Sequence, residues 1–239
     1  MRRMVTPQVY RARLEEKLDL NDKFIQFSFE LIKPHRLEFQ AGQYVSVKVN
    51  EQGERRCYSI ISTPEIDHRF NLLVDISPDG IGSRFFKNIQ FGAEIDILAP
   101  VGRFVIPDDL AVDDLVFVAI GAGIAPFKSM IEDQLRNKQD QRQITLYWGM
   151  RHPEDLFWLD ELEDLDDSFA NFHFHPTLSQ APTAWTLCRG RVTDCLSVHS
   201  LSANAAYFLC GNKQMVSDVT ALLIGQGVNK ELVFIEKFY

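Results

Sequence analysis

The sequence predicts two domains, a small antiparallel β-barrel followed by an open, doubly wound α/β sheet. Two observations carry this. From Val9 to about Leu98, short strand-like segments recur at regular spacing, broken by Gly, Pro, Asn or Asp. From Leu115 the rhythm changes to continuous apolar runs alternating with helix-length segments, as parallel strands buried on both faces require. The polar connector Ile106-Pro107-Asp108-Asp109 separates the two patterns and divides the chain into residues 1–107 and 108–239.

In the first domain the expected strands are Val9 to Glu15, Lys23 to Leu31, Tyr44 to Val49, Cys57 to Ser62, Phe70 to Ser77 and Glu94 to Leu98. Gln40-Ala41-Gly42-Gln43-Tyr44 reads as a turn entering a strand. Within the fourth segment, Arg56-Cys57-Tyr58-Ser59 sets a cation, a thiol, an aromatic ring and a hydroxyl on consecutive residues. Side chains alternate along a strand, so Arg56 and Tyr58 share one face while Cys57 and Ser59 share the other. A dinucleotide flavin can use the guanidinium for its pyrophosphate, the ring for stacking and the hydroxyl for its ring nitrogens. A surface Arg beside a half-buried Tyr gives the same four letters. Ser77-Pro78-Asp79-Gly80-Ile81-Gly82-Ser83 is a turn into a short helix, Ser83 to Ile89, with Ser83 as its cap. Unpaired amides behind such a cap attract an anion without any basic side chain.

The second domain opens on Leu115-Val116-Phe117-Val118-Ala119-Ile120, followed directly by Gly121-Ala122-Gly123-Ile124-Ala125-Pro126 and a helix from Pro126 to about Asn137. Glycines at a strand-to-helix turn let backbone approach a pyrophosphate, and proline is tolerated in a first helical turn. Strand Ile144 to Trp148, helix Asp155 to Leu165, strand Asn171 to Leu178, a helical piece at Val192 to Val198, strand Tyr207 to Leu209, helix Gln214 to Gly225 and strand Leu232 to Ile235 complete the alternation. In such sheets ligands bind at the carboxyl ends of the strands, where Gly149-Met150-Arg151, Leu178-Ser179-Gln180 and Cys210-Gly211-Asn212 fall. His173 and His175 share a strand face without a third ligand in view, and a structural role is expected for them.

Composition narrows the classes further. The 239 residues are 46% hydrophobic, enough for two proper cores, and the net charge of −8 argues against general nucleic-acid binding. No apolar run approaches the roughly 18 residues that a bilayer span needs, and Met1 to Pro7 lacks the apolar core of a signal peptide, so no membrane insertion and a cytoplasmic location are expected. Cys57, Cys188, Cys195 and Cys210 show no cluster-binding spacing, no metal site is expected, and a reducing compartment disfavours a Cys188–Cys195 bridge. A monomer is expected.

Five motifs, RxYS at Arg56 to Ser59, GxxS at Gly80 to Ser83, GxGxxP at Gly121 to Pro126, CGxxxM at Cys210 to Met215, and Glu236-Lys237-Phe238-Tyr239, together resemble the ferredoxin–NADP reductase superfamily in order and spacing over nearly the whole chain. The second-last motif, read as CGNxQM, and the last look most like the bacterial ferredoxin or flavodoxin reductases, with flavin reductases and monooxygenase reductases as near neighbours. The resemblance implies a Greek-key barrel that binds FAD and an α/β domain that binds NADP(H) or NAD(H). It implies hydride transfer from the nicotinamide to the flavin, then single electrons to a separate, acidic ferredoxin or flavodoxin. By the same resemblance, Arg56, Cys57, Tyr58 and Ser59, the backbone of Leu73, Val74, Asp75 and Ile76, the turn Ile81, Gly82 and Ser83, and Ala122, Phe238 and Tyr239 would contact FAD. Ala122 stands where the family pattern has threonine. Gly121, Gly123, Pro126, Arg151, Ser179, Arg191, Cys210, Gly211 and Met215 would hold the pyridine nucleotide, and Ser59, Cys210 and Glu236 would line the reacting atoms. Arg151 and Arg191 favour NADPH, although Gln180 replaces the arginine expected after Ser179. Arg2, Arg3, Arg11, Arg13, Lys17 and Arg55 can form a basic patch for an acidic carrier, or be scattered surface charge. A flavin reductase, an oxygenase's reductase component and a non-catalytic flavin module are the rival readings.

Overall fold

The computed structural model describes residues 6–199, 201–202 and 204–237. It divides into two compact units, one running up to Asp108 and taking in Ala125–Lys138, the other comprising Asp109–Ile124 and the chain from Gln139 onward.

The first unit is an antiparallel barrel of β1 (Gln8–Asp19), β2 (Phe24–Lys33), β3 (Tyr44–Lys48), β4 (Arg55–Ser59), β5 (Arg69–Asp75) and β6 (Glu94–Val101), with helix α1 (Ile81–Asn88) between β5 and β6. The strand order is β4-β3-β6-β1-β2-β5, and an Ile60–Leu72 bridge joins its two edges, so that the sheet nearly closes on itself. Strict alternation turns Tyr10, Ala12 and Leu14 of β1 and Phe27, Phe29 and Leu31 of β2 inward, where they form one core with Val45, Val47, Phe70, Leu72, Phe86 and Ile97. The fourth strand starts two residues earlier than its apolar run, and Arg56 and Tyr58 therefore both lie inside it, opposite Val47 and Val45. A helix follows the second unit's first strand and packs on the barrel. It is α2 (Ala125–Glu132), ending in a π-helical turn at Asp133–Asn137. Its fully buried Ser129 hydroxyl donates to the carbonyl of Ser62 at 2.7 Å, and Phe127 packs on Phe104 with ring centres 5.9 Å apart.

The second unit is a parallel sheet of β7 (Asp114–Ile120), β8 (Gln143–Met150), β9 (Phe172–Leu178), β10 (Cys188–Arg189), β11 (Ala205–Gly211) and β12 (Val233–Lys237). The order β10-β9-β8-β7-β11-β12 reverses direction between β7 and β11, which makes that gap the switch point of a doubly wound fold. Every residue of β11 is buried, as its unbroken apolar run requires. Helices α3 (Leu159–Ser168), α4 (Val192–Val198) and α5 (Lys213–Gly225) connect the strands. The helix expected from Asp155 is instead a 3-10 turn at Pro153–Asp155 followed by α3, because Trp158 sits in the left-handed region at φ 55° and separates the two. Among the described residues no helix is long and apolar enough to cross a membrane.

Phe86 of α1 is the ring that ties helix to barrel. It is fully buried, with ring centres 4.8 Å from both Phe27 and Tyr58. Phe86→Ala is expected to lower stability by about 3–5 kcal/mol through the lost burial and the cavity. Urea unfolding followed by circular dichroism measures it, and a change well below 1 kcal/mol would show that α1 contributes little to the barrel.

Candidate functional site

In the barrel unit, β4 and the start of α1 bring two predicted motifs together. Alternation places Arg56 and Tyr58 on one face of β4, and α1 lies against that face at Gly82. A Cβ at Gly82 would overlap the Tyr58 hydroxyl and press on Cγ of Arg56. The Arg56 guanidinium is about half exposed. It donates to its neighbour Arg55's carbonyl at 2.8 Å and lies 3.9 Å from Glu54, so its outer face remains available. The Tyr58 ring meets Phe86 edge-on, and burial pushes its hydroxyl pKa up to about 12.

The helix begins earlier than its sequence suggests. Gly80, not Ser83, is the capping residue, and it has no side chain with which to cap. Ser83 is the third residue of α1, and its hydroxyl donates to the carbonyl of Asp75 at 3.3 Å, tying the helix to the end of β5. The amides of Ile81, Gly82 and Ser83 are first-turn donors without intrahelical partners, so the anion-competent amides are those at and before Ser83 rather than behind it. Leu73 and Val74 are buried in β5, while Asp75 at its end and Ile76 just after it are partly exposed. On the opposite face of β4, Cys57 is exposed. Ser59 is 3% exposed, and its hydroxyl has no hydrogen-bond partner among the described residues. A cation, a ring and unpaired amides on one face of β4, with a buried orphan hydroxyl on the next residue, fit a group that supplies polar atoms and negative charge together.

In the second unit the predicted residues gather at the switch point. A Cβ on Gly123 would overlap the carbonyl of Cys210, so the turn after β7 passes directly over the end of β11. The carbonyl of Gly121 accepts from the indole of Trp148 at 3.0 Å, fixing the turn to β8, and Ala122 is partly exposed at its tip. Cys210 is fully buried and pairs in register with Glu236 of β12. Gly211 and Met215 are buried beside it, and the Asn212 side chain caps α5 by accepting from the Met215 amide at 2.9 Å. Burial pushes the Glu236 carboxyl up to about 7, and Oε2 of that carboxyl is buried without a hydrogen-bond partner among the described residues. Burial, and then the neighbouring Glu236 charge, push the Cys210 thiol well above its ordinary value.

Arg151, Ser179 and Arg191 lie along the carboxyl edges of β8 and β9 and at the start of α4. The amide of Ser179 donates to the Met150 carbonyl and that of Gln180 to the Arg151 carbonyl, at 3.0 and 2.9 Å. Arg191 caps α4, its amide donating to Asp194 at 2.6 Å, while its side chain is 73% exposed and 3.9 Å from Asp218. Pro126 is the second residue of α2 and belongs to the barrel unit. Phe238 and Tyr239 lie outside the described residues.

Three results differ from, or add to, the sequence reading. Cys188 and Cys195 are joined by a disulfide, because the two-residue strand β10 pairs with β9 and sets Cys188 against α4, with Cα atoms 5.6 Å apart. The basic patch is only partly offset where the structure describes it, and Lys17 lies over the Phe27 ring at 5.8 Å from its centre. Arg11 lies 3.1 Å from Asp96 and 3.7 Å from Glu94, Arg13 pairs with Glu15 and Glu30, and Arg55 turns onto Ser46. Arg2 and Arg3 lie outside the described residues. Phe86, the support under Tyr58, was not anticipated, although its position three residues after Ser83 on a short amphipathic helix signals it.

The Glu236 carboxyl makes stability pH-dependent. Its value rises from about 4.5 to about 7 on folding. Between those pH values the folded chain holds a proton that the unfolded chain releases. The contribution is complete below about pH 4.5 and is lost as pH rises through about 7, amounting to at most about 3 kcal/mol. Glu236→Gln should flatten the stability profile between pH 5 and 8, measured by urea unfolding; identical slopes for both proteins would refute the raised value.

Two family models match the chain in succession. The oxidoreductase FAD-binding domain family matches residues 11–106 and the oxidoreductase NAD-binding domain family residues 117–221. The chain is 32% identical over 214 residues to the xylene/toluene monooxygenase electron transfer component XylA of Pseudomonas putida, covering 88% of this chain and 60% of that protein. It therefore spans about three fifths of the length of this relative. It is 30% identical over 245 residues to ferredoxin–NADP reductase B of Sorangium cellulosum, covering 98% of this chain and all of that protein. The crystal structure of the Amycolatopsis cytochrome P450 reductase GcoB superposes with a TM-score of 0.90 at 26% identity, covering 99% of this chain and 72% of that one. A relative matched from end to end, and both family domains in the same order as the two folds, show that this chain belongs to the ferredoxin–NADP reductase superfamily of flavin-dependent oxidoreductases.

Proposed function

We propose that the chain takes hydride from NADPH in preference to NADH through FAD and passes single electrons to a separate ferredoxin or flavodoxin, with the flavin held by residues 1–107 and the nicotinamide nucleotide by residues 108–239. The observation that carries this reading is the packing of Gly82 against Arg56 and Tyr58, which unites two separate sequence motifs into one cradle. The guanidinium of Arg56 and the amides of Ile81, Gly82 and Ser83 neutralise a pyrophosphate. Tyr58 offers a ring held rigid by Phe86, and the orphan Ser59 hydroxyl finds its missing partner on the flavin ring. FAD, when bound, supplies the exchange between two-electron and one-electron chemistry, and no separate general base is needed. In the second unit, Gly121 and Gly123 leave room for a pyrophosphate at the switch point, Cys210 and Glu236 form an uncharged wall below about pH 7, and Arg151 and Arg191 offer exposed guanidinium groups to a 2′-phosphate.

A second reading has its own support. The similarity to electron transfer and reductase components of monooxygenases supports delivery to the carrier of an oxygenase instead of a free-standing ferredoxin.

Anaerobic titration of the flavin-loaded protein with NADPH and with NADH, followed by flavin absorbance, separates these readings from a non-catalytic module: bleaching is expected at lower NADPH than NADH, and a flavin that resists both would overturn the oxidoreductase reading. Arg191→Ala should raise KM for NADPH more than for NADH, and equal effects would remove the NADPH preference. Gly82→Ala should cost at least about 1–3 kcal/mol of flavin affinity, read as flavin lost on dialysis, because the new methyl displaces Tyr58 and Arg56. Full flavin retention would place the dinucleotide elsewhere.

A further inference from the structure

Outside the residues assigned above, one cluster of reactive side chains remains, in the second unit where β9, β10 and α4 meet. Cys188 stands in β10 opposite Thr177 of β9, Cys195 lies in α4, and His199 follows that helix as its capping residue. One ligand atom from each of the three lies within 4.8 Å of the others, and among the described residues no other trio of His, Cys, Asp or Glu is so placed. Cys195 lies inside α4 and His199 caps its end four residues later. Cys195 is 2% exposed, whereas Cys188 and His199 are half-buried, so the cluster opens to solvent on one side. His199 is also oriented. Its Nδ1–H donates to the Cys195 carbonyl at 2.8 Å, which fixes the ring and leaves Nε2 with its lone pair, as the imidazole of a metal ligand is held. A second imidazole, His175, lies with its ring centre 4.5 Å from that of His199 and stacks on Tyr147 at 4.9 Å.

We propose that Cys188, Cys195 and His199 form a redox-gated site for a thiophilic divalent cation of the zinc type, which the dithiol binds and the disulfide excludes. Opening the bridge takes two electrons and two protons from a dithiol reductant, which leaves as its own disulfide, and yields two cysteine thiols. Binding then forms two metal–sulfur bonds and one metal–nitrogen bond to neutral imidazole, and the two sulfur protons pass to solvent. Two thiolates balance the charge of the ion, and their softness selects zinc-like metals over magnesium or calcium. Water or His175 fills the fourth position of a tetrahedron. Reoxidation by a small-molecule disulfide removes two electrons from the thiolates, restores the sulfur–sulfur bond and releases the ion. The segment enclosed by the ligands contains Arg191, so occupancy would bear on the nucleotide contact proposed above; that consequence rests on the proposed function, whereas metal binding does not.

The test uses the full, flavin-loaded chain in two states: as the disulfide, and after anaerobic reduction with dithiothreitol and its removal. Each is mixed with zinc chloride, gel-filtered and assayed for metal by mass spectrometry. The reduced protein should retain one zinc per chain and the oxidised protein none. With cobalt(II) in place of zinc, the reduced protein should show the visible bands of a tetrahedral thiolate site. Cys188→Ser and His199→Ala should each weaken zinc binding at least about 10–100-fold in competition with a chromophoric chelator, since losing even an outer partner of a ligand costs that much. No retention of zinc by the reduced wild type, or undiminished affinity in Cys188→Ser, would overturn the proposal. The comparison of the two redox states needs no substitution, so it stands if a variant fails to fold. Because no nucleotide is present, its failure is also distinct from failure of the NADPH reading.

Discussion

The barrel unit depends on a missing side chain. At Gly82 the first turn of α1 lies so close to β4 that the Tyr58 hydroxyl and the Arg56 stem fill the space a Cβ would take. That contact fixes much else. It holds the unpaired amides of Ile81 to Ser83 beside a guanidinium, and it leaves the Tyr58 ring supported by Phe86 from within the barrel. Ser83, free of any capping duty, ties the same turn to the end of β5 through the Asp75 carbonyl. A cation, a ring and a set of amide donors thus have fixed relative positions before any ligand arrives, and such preorganisation lowers the entropy cost of binding.

Charge around the barrel follows a different logic. Arg11 and Arg13 each face two carboxylates across β1, β2 and β6, and all of these groups are exposed. Exposed pairs of this kind add little stability, but they cancel the field that the arginines would otherwise project. With an overall charge of −8, the paired Arg11 and Arg13 add little long-range attraction for an acidic partner.

The fold was legible in the sequence because both units obey simple periodicities. Alternation in β1 and β2 marks a one-sided strand, and the unbroken runs of β7 and β11 mark strands covered on both faces. The face shared by Arg56 and Tyr58 follows from the same period of two. What was not legible depends on contacts between segments far apart or too short to carry a pattern. Strand β10 has two residues, so nothing in its sequence predicts that Cys188 pairs with β9 and reaches Cys195. Ser83 has the right chemistry for a cap, but the carbonyl of Asp75, eight residues earlier, claims its hydroxyl. The carboxylate partners of Arg11 and Arg13 come largely from neighbouring strands, and only the register of the barrel brings them into place.

The burial that made the parallel strands readable also sets the chemistry at their ends. Because β11 is covered on both faces, Cys210 at its carboxyl end is fully buried, and the adjacent register position on β12 leaves Glu236 half-buried beside it. A lone carboxylate is costly there, and the structure provides no cation or donor for its buried oxygen among the described residues. The group responds by keeping its proton to about pH 7, and above that its charge joins burial in holding the Cys210 thiol well above its ordinary value. The two groups are therefore neutral together in mildly acidic solution, and only Glu236 changes near neutrality. Apolar burial, rather than any specific partner, is what places a single titration one strand from the switch point of the sheet, in register with Cys210, whose carbonyl meets Gly123.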